Sequence, residues 1–436
     1  MLNMHKHFII NCILVVTLLT GIALSAKAQT AMALSLDDAR QHALQHNKNL
    51  RNAGLNIDEA GLMTREVIAQ GLPQVNATVD YNNFFGSTAS LGAMPGMTIE
   101  FNPTSNLGVS LTQLIFSGSY IVGIQSAKLY EEITRTSFEQ TELEILAQVT
   151  QAYYLSLIAM EARTIVGNNL DNLRDLLEKT RAMVDVGMAE EVDFDQLSVQ
   201  FGMLNDALRA ADRQLELALN MLRLQMGLTA DTEISLTDDL EGILDQADFG
   251  TSLTKAFELQ SNPNYRMLTL QTEIAEKQVN MERAAYLPTL SGFYNYTEKL
   301  LKAEFDITPN HVIGLNLSIP IFSSGVRQSR VRQARINYEI AENQQELASE
   351  QLLIQEKQLR FNLNNAIEQF ESQKANLEVA RRVFNNINDK YQQGMLSSLD
   401  LTTANNNYLQ AENSYITAVL QLLEAQVEMD KLLRLF

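Results

Sequence analysis

Cysteine is all but missing from this chain of 436 residues: the single one is Cys12. It lies in an N-terminal stretch where Lys6 sits in a short polar start, Phe8 to Leu24 is largely apolar, and Ala26-Lys27-Ala28 offers a small-x-small site before Gln29. That pattern reads as a cleaved secretory signal over residues 1–28; the competing reading, an N-terminal membrane anchor, is disfavoured by the short apolar run and the cleavage site. With Cys12 removed, the exported chain has no disulfide, no thiol nucleophile and no cysteine-bound metal. Cys12 also comes too early to follow a cleavage site, which argues against a lipidated terminal cysteine.

Long apolar runs are missing too. Beyond residue 28 no segment approaches 18 uninterrupted apolar residues, so no transmembrane helix is available. Basic residues are in short supply: 33 Lys and Arg stand against 52 Asp and Glu, for a net charge of −19. A surface that acidic repels a phosphate backbone, so nucleic acid is excluded as a partner. Asp238, Asp239, Glu241 and Asp245 form a loose acidic group that lacks a calcium-loop spacing and reads as solvated surface. His42 and His46 lie one helical turn apart with no third ligand at suitable spacing, and read as an exposed helix face. No cofactor or metal is expected.

The scarcity of proline is the most informative lack. All seven fall at positions 73, 95, 103, 263, 288, 309 and 320, leaving 104 to 262 and everything after 320 free of them. Proline breaks helix interiors, so these spans permit very long helices. From Arg327 to Lys390 glycine is absent as well, and the next one is Gly394. A continuous helix from Gln328 to about Gln393 would be roughly 100 Å long at 1.5 Å per residue. Its partner starts near Leu399, and an earlier pair runs from about Ile121 to Val186 and from about Val192 to Leu224.

What is there is said twice. Leu107-Gly-Val-Ser-Leu-Thr-Gln-Leu-Ile-Phe-Ser-Gly118 returns as Ile313-Gly-Leu-Asn-Leu-Ser-Ile-Pro-Ile-Phe-Ser-Ser-Gly325, each launching one of the long runs. Leu401, Ala404, Tyr408, Ala411, Tyr415, Ala418, Leu422 and Ala425 alternate spacings of three and four. Phe194, Leu197, Phe201, Leu204, Leu208, Ala211, Leu215 and Ala218 repeat the phase, and Leu363, Ala366, Phe370, Leu377, Ala380 and Phe384 add a third stripe. This is the seam of helices packed nearly parallel or antiparallel.

Ala69-Gln-Gly-Leu-Pro73 and Ala284-Ala-Tyr-Leu-Pro288 are matching helix exits into alternating segments, with Pro73 and Pro288 at the strand starts. Val75, Ala77, Val79 and Tyr81 share one face, as do Leu290, Gly292, Tyr294 and Tyr296; the later segments alternate in the same way. Four such strands of about nine residues could cross a hydrocarbon layer but not close a wide barrel, and an open edge in lipid is prohibitively costly. The strands must then combine with those of other protomers, unless they form a soluble sheet capped by helices.

Taken in order, Leu36-x-x-Ala39 before Asn47, Leu253-x-x-Ala256 before Asn262-Pro263, the two Leu-Pro strand starts, Phe116-Ser-Gly118, Phe322-Ser-Ser-Gly325, Val186-Gly-Met-Ala-Glu-Glu-Val-Asp193 and Gln393-Gly-Met-Leu-Ser-Ser-Leu-Asp400 resemble the TolC-like outer membrane efflux proteins over essentially all of the exported chain. The resemblance implies a mixed α/β fold. Four membrane strands per protomer contribute to a trimeric 12-stranded β-barrel, continued by a long periplasmic α-helical tunnel of coiled-coil hairpins. It divides the chain into a signal peptide (1–28), a first repeat (29–235; strands about 74–116, helices about 121–224), an equatorial connector (236–251) and a second repeat (252–436; strands about 289–321, helices about 327–436). Tyr81 to about Thr104 and Tyr296 to about His311 become external loops.

The function so implied is a passive outer-membrane exit duct of a tripartite efflux or type I secretion-like system, working with a periplasmic adaptor and an inner-membrane transporter. The alternative is a non-transport periplasmic structural or adhesive coiled-coil protein. No catalytic constellation is present. Asp400 matches a family gate aspartate, with Thr403 where one family pattern has a second; three copies would crowd carboxylates around the pore. Asp400 also reads as a helix cap, and the two roles can coexist. Asp193, its counterpart, reads as tip geometry or adaptor contact, or as a cap. Gly187 and Gly394 mark the hairpin tips, and Phe116, Ser117, Gly118, Phe322, Ser323, Ser324 and Gly325 the turns from barrel to tunnel.

Overall fold

The computed structural model describes residues 32–90, 98–302 and 307–436. The expected signal over 1–28 with Cys12, the first residues of the expected first repeat, Pro95, and parts of both expected external loops lie outside the described residues. The chain falls into two compact units. One takes residues up to Asn47 with Gln148–Asp248 and Gln369–Leu423; the other takes Lys48–Ala147, Phe249–Glu368 and Glu424–Phe436.

In the first unit, β1 (Met32–Leu34) leads into α1 (Leu36–His46). Ser35 and Asp38 start this helix with a reciprocal capping box: Asp38 N–H donates to Ser35 Oγ at 3.2 Å and Ser35 N–H to Asp38 Oδ2 at 3.1 Å. The unit also holds β6 (Ile234–Leu236), which pairs in parallel with β1, and the short helix α5 (Leu240–Gln246).

Four long helices dominate. They are α3 (Gly118–Asp185), α4 (Glu191–Met226), α8 (Val326–Gln392) and α9 (Ser398–Leu433), of 68, 36, 67 and 36 residues. Their lengths follow from the missing prolines, since nothing in these spans removes a backbone donor. Along α9 the expected stripe is the one that sinks: Leu401, Ala404, Ala418 and Leu422 are buried and Tyr408, Ala411 and Tyr415 half-buried. Leu170 and Leu173 of α3 close on Leu197 and Leu204 of α4, with Phe201 and Leu208 against them. Burial of such side chains stabilises by about 1.5–3 kcal/mol each, which long helices need because propensity alone is marginal.

The second unit carries α2 (Lys48–Ala69), β2 (Gln74–Asn82), a small hairpin of β3 (Thr88–Ser90) and β4 (Thr98–Glu100), and β5 (Thr104–Phe116). After α6 (Phe249–Thr254) and α7 (Pro263–Ala284) come β7 (Thr289–Leu301) and β8 (His311–Ser318). Asn262 caps α7, accepting from the N–H groups of Asn264 and Tyr265, with Pro263 pre-set in the first turn. The strands form one antiparallel sheet in the order β2-β5-β7-β8.

Two local expectations change. β7 does not end at Tyr296 but runs on through Leu301, paired with the start of β5, so the loop before His311 is shorter than read from the sequence. Between Tyr81 and Thr104 the chain folds its own hairpin, β3 with β4, which the polar composition of that segment does not announce.

Candidate functional site

The sheet has two unlike faces. Register places Val75, Ala77 and Val79 beside Leu111, Val109 and Leu107, and these beside Tyr294, Tyr296 and Glu298. On β8, Leu317, Leu315 and Ile313 complete the same face beside Leu290, Gly292 and Tyr294. All of this apart from Glu298 and the small residues is apolar, and much of it is open: Val79 is 69% exposed and Ile313 83%. The opposite face is mostly polar, with Asn76, Thr78 and Asp80, Ser110 and Thr112, Ser291 and Asn295, and Asn316 and Ser318, interrupted by Leu114, Phe293 and Val312. There Asp80 accepts from the amides of Asn82 and Asn106 at 3.3 and 3.1 Å. Among the described residues neither β2 nor β8 has a partner on its outer edge.

Pro73 and Pro288 stand immediately before β2 and β7. The two strand-to-helix junctions differ. Phe116 is the last residue of β5 and Gly118 already the first of α3, so the expected turn shrinks to Ser117, whose Oγ accepts from Tyr120 N–H at 3.3 Å. Gly118 is there for space: a Cβ would lie 2.8 Å from Leu287 and 3.1 Å from Ala284 at the end of α7. The second junction is a true turn through Phe322, Ser323, Ser324 and Gly325, with φ of 47° and 84° at the last two before α8 begins.

The hairpin tips are built alike. Gly187 and Gly394 have φ of 75° and 72°, a conformation that side chains disfavour. Each lets the chain fold back on the helix end: Met188 N–H reaches Met183 O, and Met395 N–H reaches Lys390 O, the geometry of a Schellman stop. Three residues into each return helix stands a capping carboxylate. Asp193 accepts from Glu190 N–H at 3.2 Å. Asp400 accepts from Ser397 N–H at 3.1 Å and from Ser397 Oγ at 2.7 Å, while its own N–H donates to Ser397 Oγ at 3.3 Å. The side-chain and backbone hydrogen bonds from Ser397 hold the Asp400 carboxyl below the usual carboxylate range, so it is ionised at neutral pH. Thr403 Oγ1 donates to Leu399 O at 2.8 Å.

The structure brings together what the sequence kept apart. Ser398 Oγ donates to Asp193 Oδ1, and Thr180 Oγ1 pairs with Tyr391 OH at 3.1 Å. Arg181 reaches across the first tip to Glu191 at 2.8 Å and lies over the Phe194 ring, 5.2 Å from its centroid. No sequence signal singled out Arg181, because its partners are defined by the turn. Around the tips Val186, Met188, Val192, Met395 and Leu399 are exposed.

Asp238 is a correction to the reading of a solvated acidic group: its Oδ2 accepts from Leu36 N–H at 2.8 Å and from Tyr153 OH at 2.9 Å. Asp239 caps α5 through Gly242 N–H at 2.7 Å. His42 and His46 stack at 4.2 Å, and each Nδ1 lies 3.1 Å from a main-chain oxygen, of Met226 and of His42. No helix among the described residues is long and apolar enough to cross a membrane.

Comparison with known proteins agrees with this anatomy. The Outer membrane protein TolC of Vibrio cholerae is 23% identical over 433 residues, covering 94% of this chain and 94% of that one. Its counterpart from Salmonella enteritidis is 23% identical over 419 residues, 92% of this chain and 82% of the other. Among solved structures, CusC matches with a TM-score of 0.74 at 16% identity, over 94% of this chain and 95% of that chain, a likeness of fold. The family model described as Outer membrane efflux protein matches residues 39–228 and 258–433, so this chain belongs to the outer membrane efflux protein family.

Proposed function

We propose that three copies of this chain close their four-stranded sheets into one barrel of twelve strands and continue it as a helical tunnel into the periplasm. As a member of its family the protein is an outer-membrane exit duct for efflux or secretion; the trimer is our reading. One observation carries it: an antiparallel sheet with an apolar face, a mostly polar face and, among the described residues, two unpaired edges. In hydrocarbon an open edge costs several kcal/mol per unsatisfied group, and four strands are too few to close alone. Because the strand number is even, β8 of one copy meets β2 of the next antiparallel, so repetition closes the ring. Exposed Ile340, Leu347, Ile354 and Phe361, seven residues apart along α8, supply an apolar stripe for a neighbouring copy.

In this assembly Asp400 and Thr403 line the periplasmic gate. One oxygen of Asp400 is held by Ser397; the other is available to cations, so the capping role and the gate role coexist. Gly187, Asp193 and Gly394 shape the tips, where the exposed Val186, Met188 and Met395 dock a periplasmic adaptor that couples the duct to an inner-membrane transporter. The duct itself does no chemistry.

The trimer is tested by native mass spectrometry in detergent: a stable monomer at every concentration sinks it. The gate is tested in planar bilayers with Asp400→Asn, which keeps the side chain's shape. We expect higher leak conductance and weaker block by multivalent cations; wild-type conductance and block in the variant would remove Asp400 from the gate.

A further inference from the structure

Above the tips, α3, α4, α8 and α9 surround a cavity of about 250 Å3. Seams of this kind are ordinarily filled by apolar side chains, yet here much of the wall is carboxamide: Asn169, Asn172, Gln200, Asn385, Asn388 and Asn405. Two wall groups lack partners among the described residues. Thr402 Oγ1 is buried with no hydrogen bond, although a helical threonine has a carbonyl one turn back within easy reach and Thr403 beside it uses one. Asn169, only 6% exposed, spends its Nδ2 on Ile165 O at 2.9 Å and Glu412 Oε2 at 3.1 Å, leaving Oδ1 as a free acceptor. Leaving a buried hydroxyl such as that of Thr402 unpaired costs about 1–3 kcal/mol, which a hydroxyl-bearing guest would recover.

The wall also says what kind of guest fits. Carboxamides donate and accept, which suits hydroxyl groups. The charges on the rim, Asp175 and Lys179, are opposite and one turn apart on α3, so the site favours no net charge. Leu173, Leu197 and Leu401 are buried beneath it, and the Phe384 ring, stacked on Tyr408 at 5.4 Å, lines one side. Polar walls with an apolar floor match the hydroxyl rim and C–H face of a pyranose. The volume lies below the roughly 300–1,000 Å3 of sites for drug-sized ligands, which leaves space for a single sugar ring.

We propose that this cavity binds a neutral sugar of monosaccharide size, with Asn169 Oδ1 accepting a hydroxyl proton and the Thr402 hydroxyl pairing with a ring substituent. A guest touching all four helices holds the two hairpins at one spacing and so favours a single state of the tips. That consequence rests on the duct reading; the binding itself does not.

The test uses the purified full-length protein with N-acetylglucosamine and glucose as probes and glutamate as a charged control, read by saturation-transfer NMR and calorimetry. We expect saturable binding of at least one sugar and none of glutamate. Thr402→Val should weaken binding about tenfold while the melting temperature holds or rises, because the lost hydroxyl makes no hydrogen bond to the described protein groups. Asn405→Leu, which fills the cavity, should abolish binding. No saturable signal from either sugar, or wild-type affinity in both variants, overturns the proposal. Bilayer conductance is measured separately: conductance without sugar binding sinks the site and leaves the duct intact, whereas sugar binding without conductance supports the site and counts against the duct.

Discussion

Ser398 donates its side-chain hydroxyl to Asp193, tying the first turn of α9 to the first turn of α4. The same carboxylate caps its own helix through Glu190 N–H, so one residue serves the local geometry of one tip and its link to the other. Asp400, in the matching position of the second tip, is satisfied within its own turn by Ser397. The duplicated motif has therefore diverged in use: one carboxylate joins hairpins, and the other keeps an oxygen free.

Replacing Asp193 by Ala removes a cap and a charge-assisted bond together. Loss of a cap costs about 0.5–2 kcal/mol and of a hydrogen bond to a charged group about 1.5–3. Hydrogen exchange should quicken at the first turns of both α4 and α9. Faster exchange confined to α4 would mean the Ser398 contact carries no load.

Tyr153 is wholly buried and donates toward both Leu34 O and Asp238, whose other partner is the Leu36 N–H. Burial, then the hydrogen bond to Asp238, pushes the phenol's pKa well above its ordinary value, so it stays a donor at any physiological pH. Tyr153→Phe removes the one proton shared between Leu34 O, which keeps Thr237 N–H, and Asp238, which keeps Leu36 N–H, and should cost about 1–3 kcal/mol in denaturant melts because one acceptor is charged. A change within 0.5 kcal/mol would show that water replaces the hydroxyl.

Gly227 ends α4 with φ of 75°, and a Cβ there would come within 2.4 Å of His46 O. Gly227→Ala should destabilise by about 2 kcal/mol or more, combining left-handed strain with a backbone clash. Gly202, inside α4 with open space around it, is the control: Gly202→Ala should stabilise by up to about 1 kcal/mol. Melting temperatures moving in the same direction for both would refute this contrast.

Burial, reinforced by the neighbouring His46, holds the His42 pKa below its ordinary 6.5; the Met226 carbonyl opposes the shift without reversing it. The unfolded chain then binds the proton more readily, so His42 contributes stability that is full above pH 6.5 and is lost as pH falls through the lower folded value. Stability measured from pH 7.5 down to 5 should decline less steeply in His42→Gln than in the wild type. Asp400, with its depressed carboxyl, stays ionised across that whole range and loses its contribution only below the ordinary carboxylate pKa near 4. Cation block of the duct should therefore persist to pH 5; block that fades between pH 7 and 5 would assign it to other groups.

Several elements were legible because they rest on local rules. Freedom from proline permits 68 and 67 residues of helix in α3 and α8, and the three/four spacing of Leu401, Ala404, Ala418 and Leu422 marks the side that sinks. Alternation in Val75, Ala77 and Val79 gives one face of a strand whatever it pairs with. Less legible were features set by contacts distant in sequence. The extension of β7 to Leu301 depends on its pairing with β5, and the roles of Asp238 and Arg181 depend on Leu36, Tyr153 and Glu191 arriving beside them. Gly118 looked like a turn residue in a Phe-Ser-Gly motif, but its smallness serves the close approach of Ala284 and Leu287.

By itself, then, the amino-acid sequence determined the long helices, the strand faces, the glycine-stopped tips and the family, because helix continuity, side-chain period and left-handed turns are properties of neighbours along the chain. Tertiary structure alone decided which of two equivalent carboxylates bridges the hairpins, which acidic residue is structural, and where an amide-lined space is left between four helices. Those outcomes depend on distances between residues some two hundred positions apart, and periodicity along one strand or helix carries no information about what stands across from it.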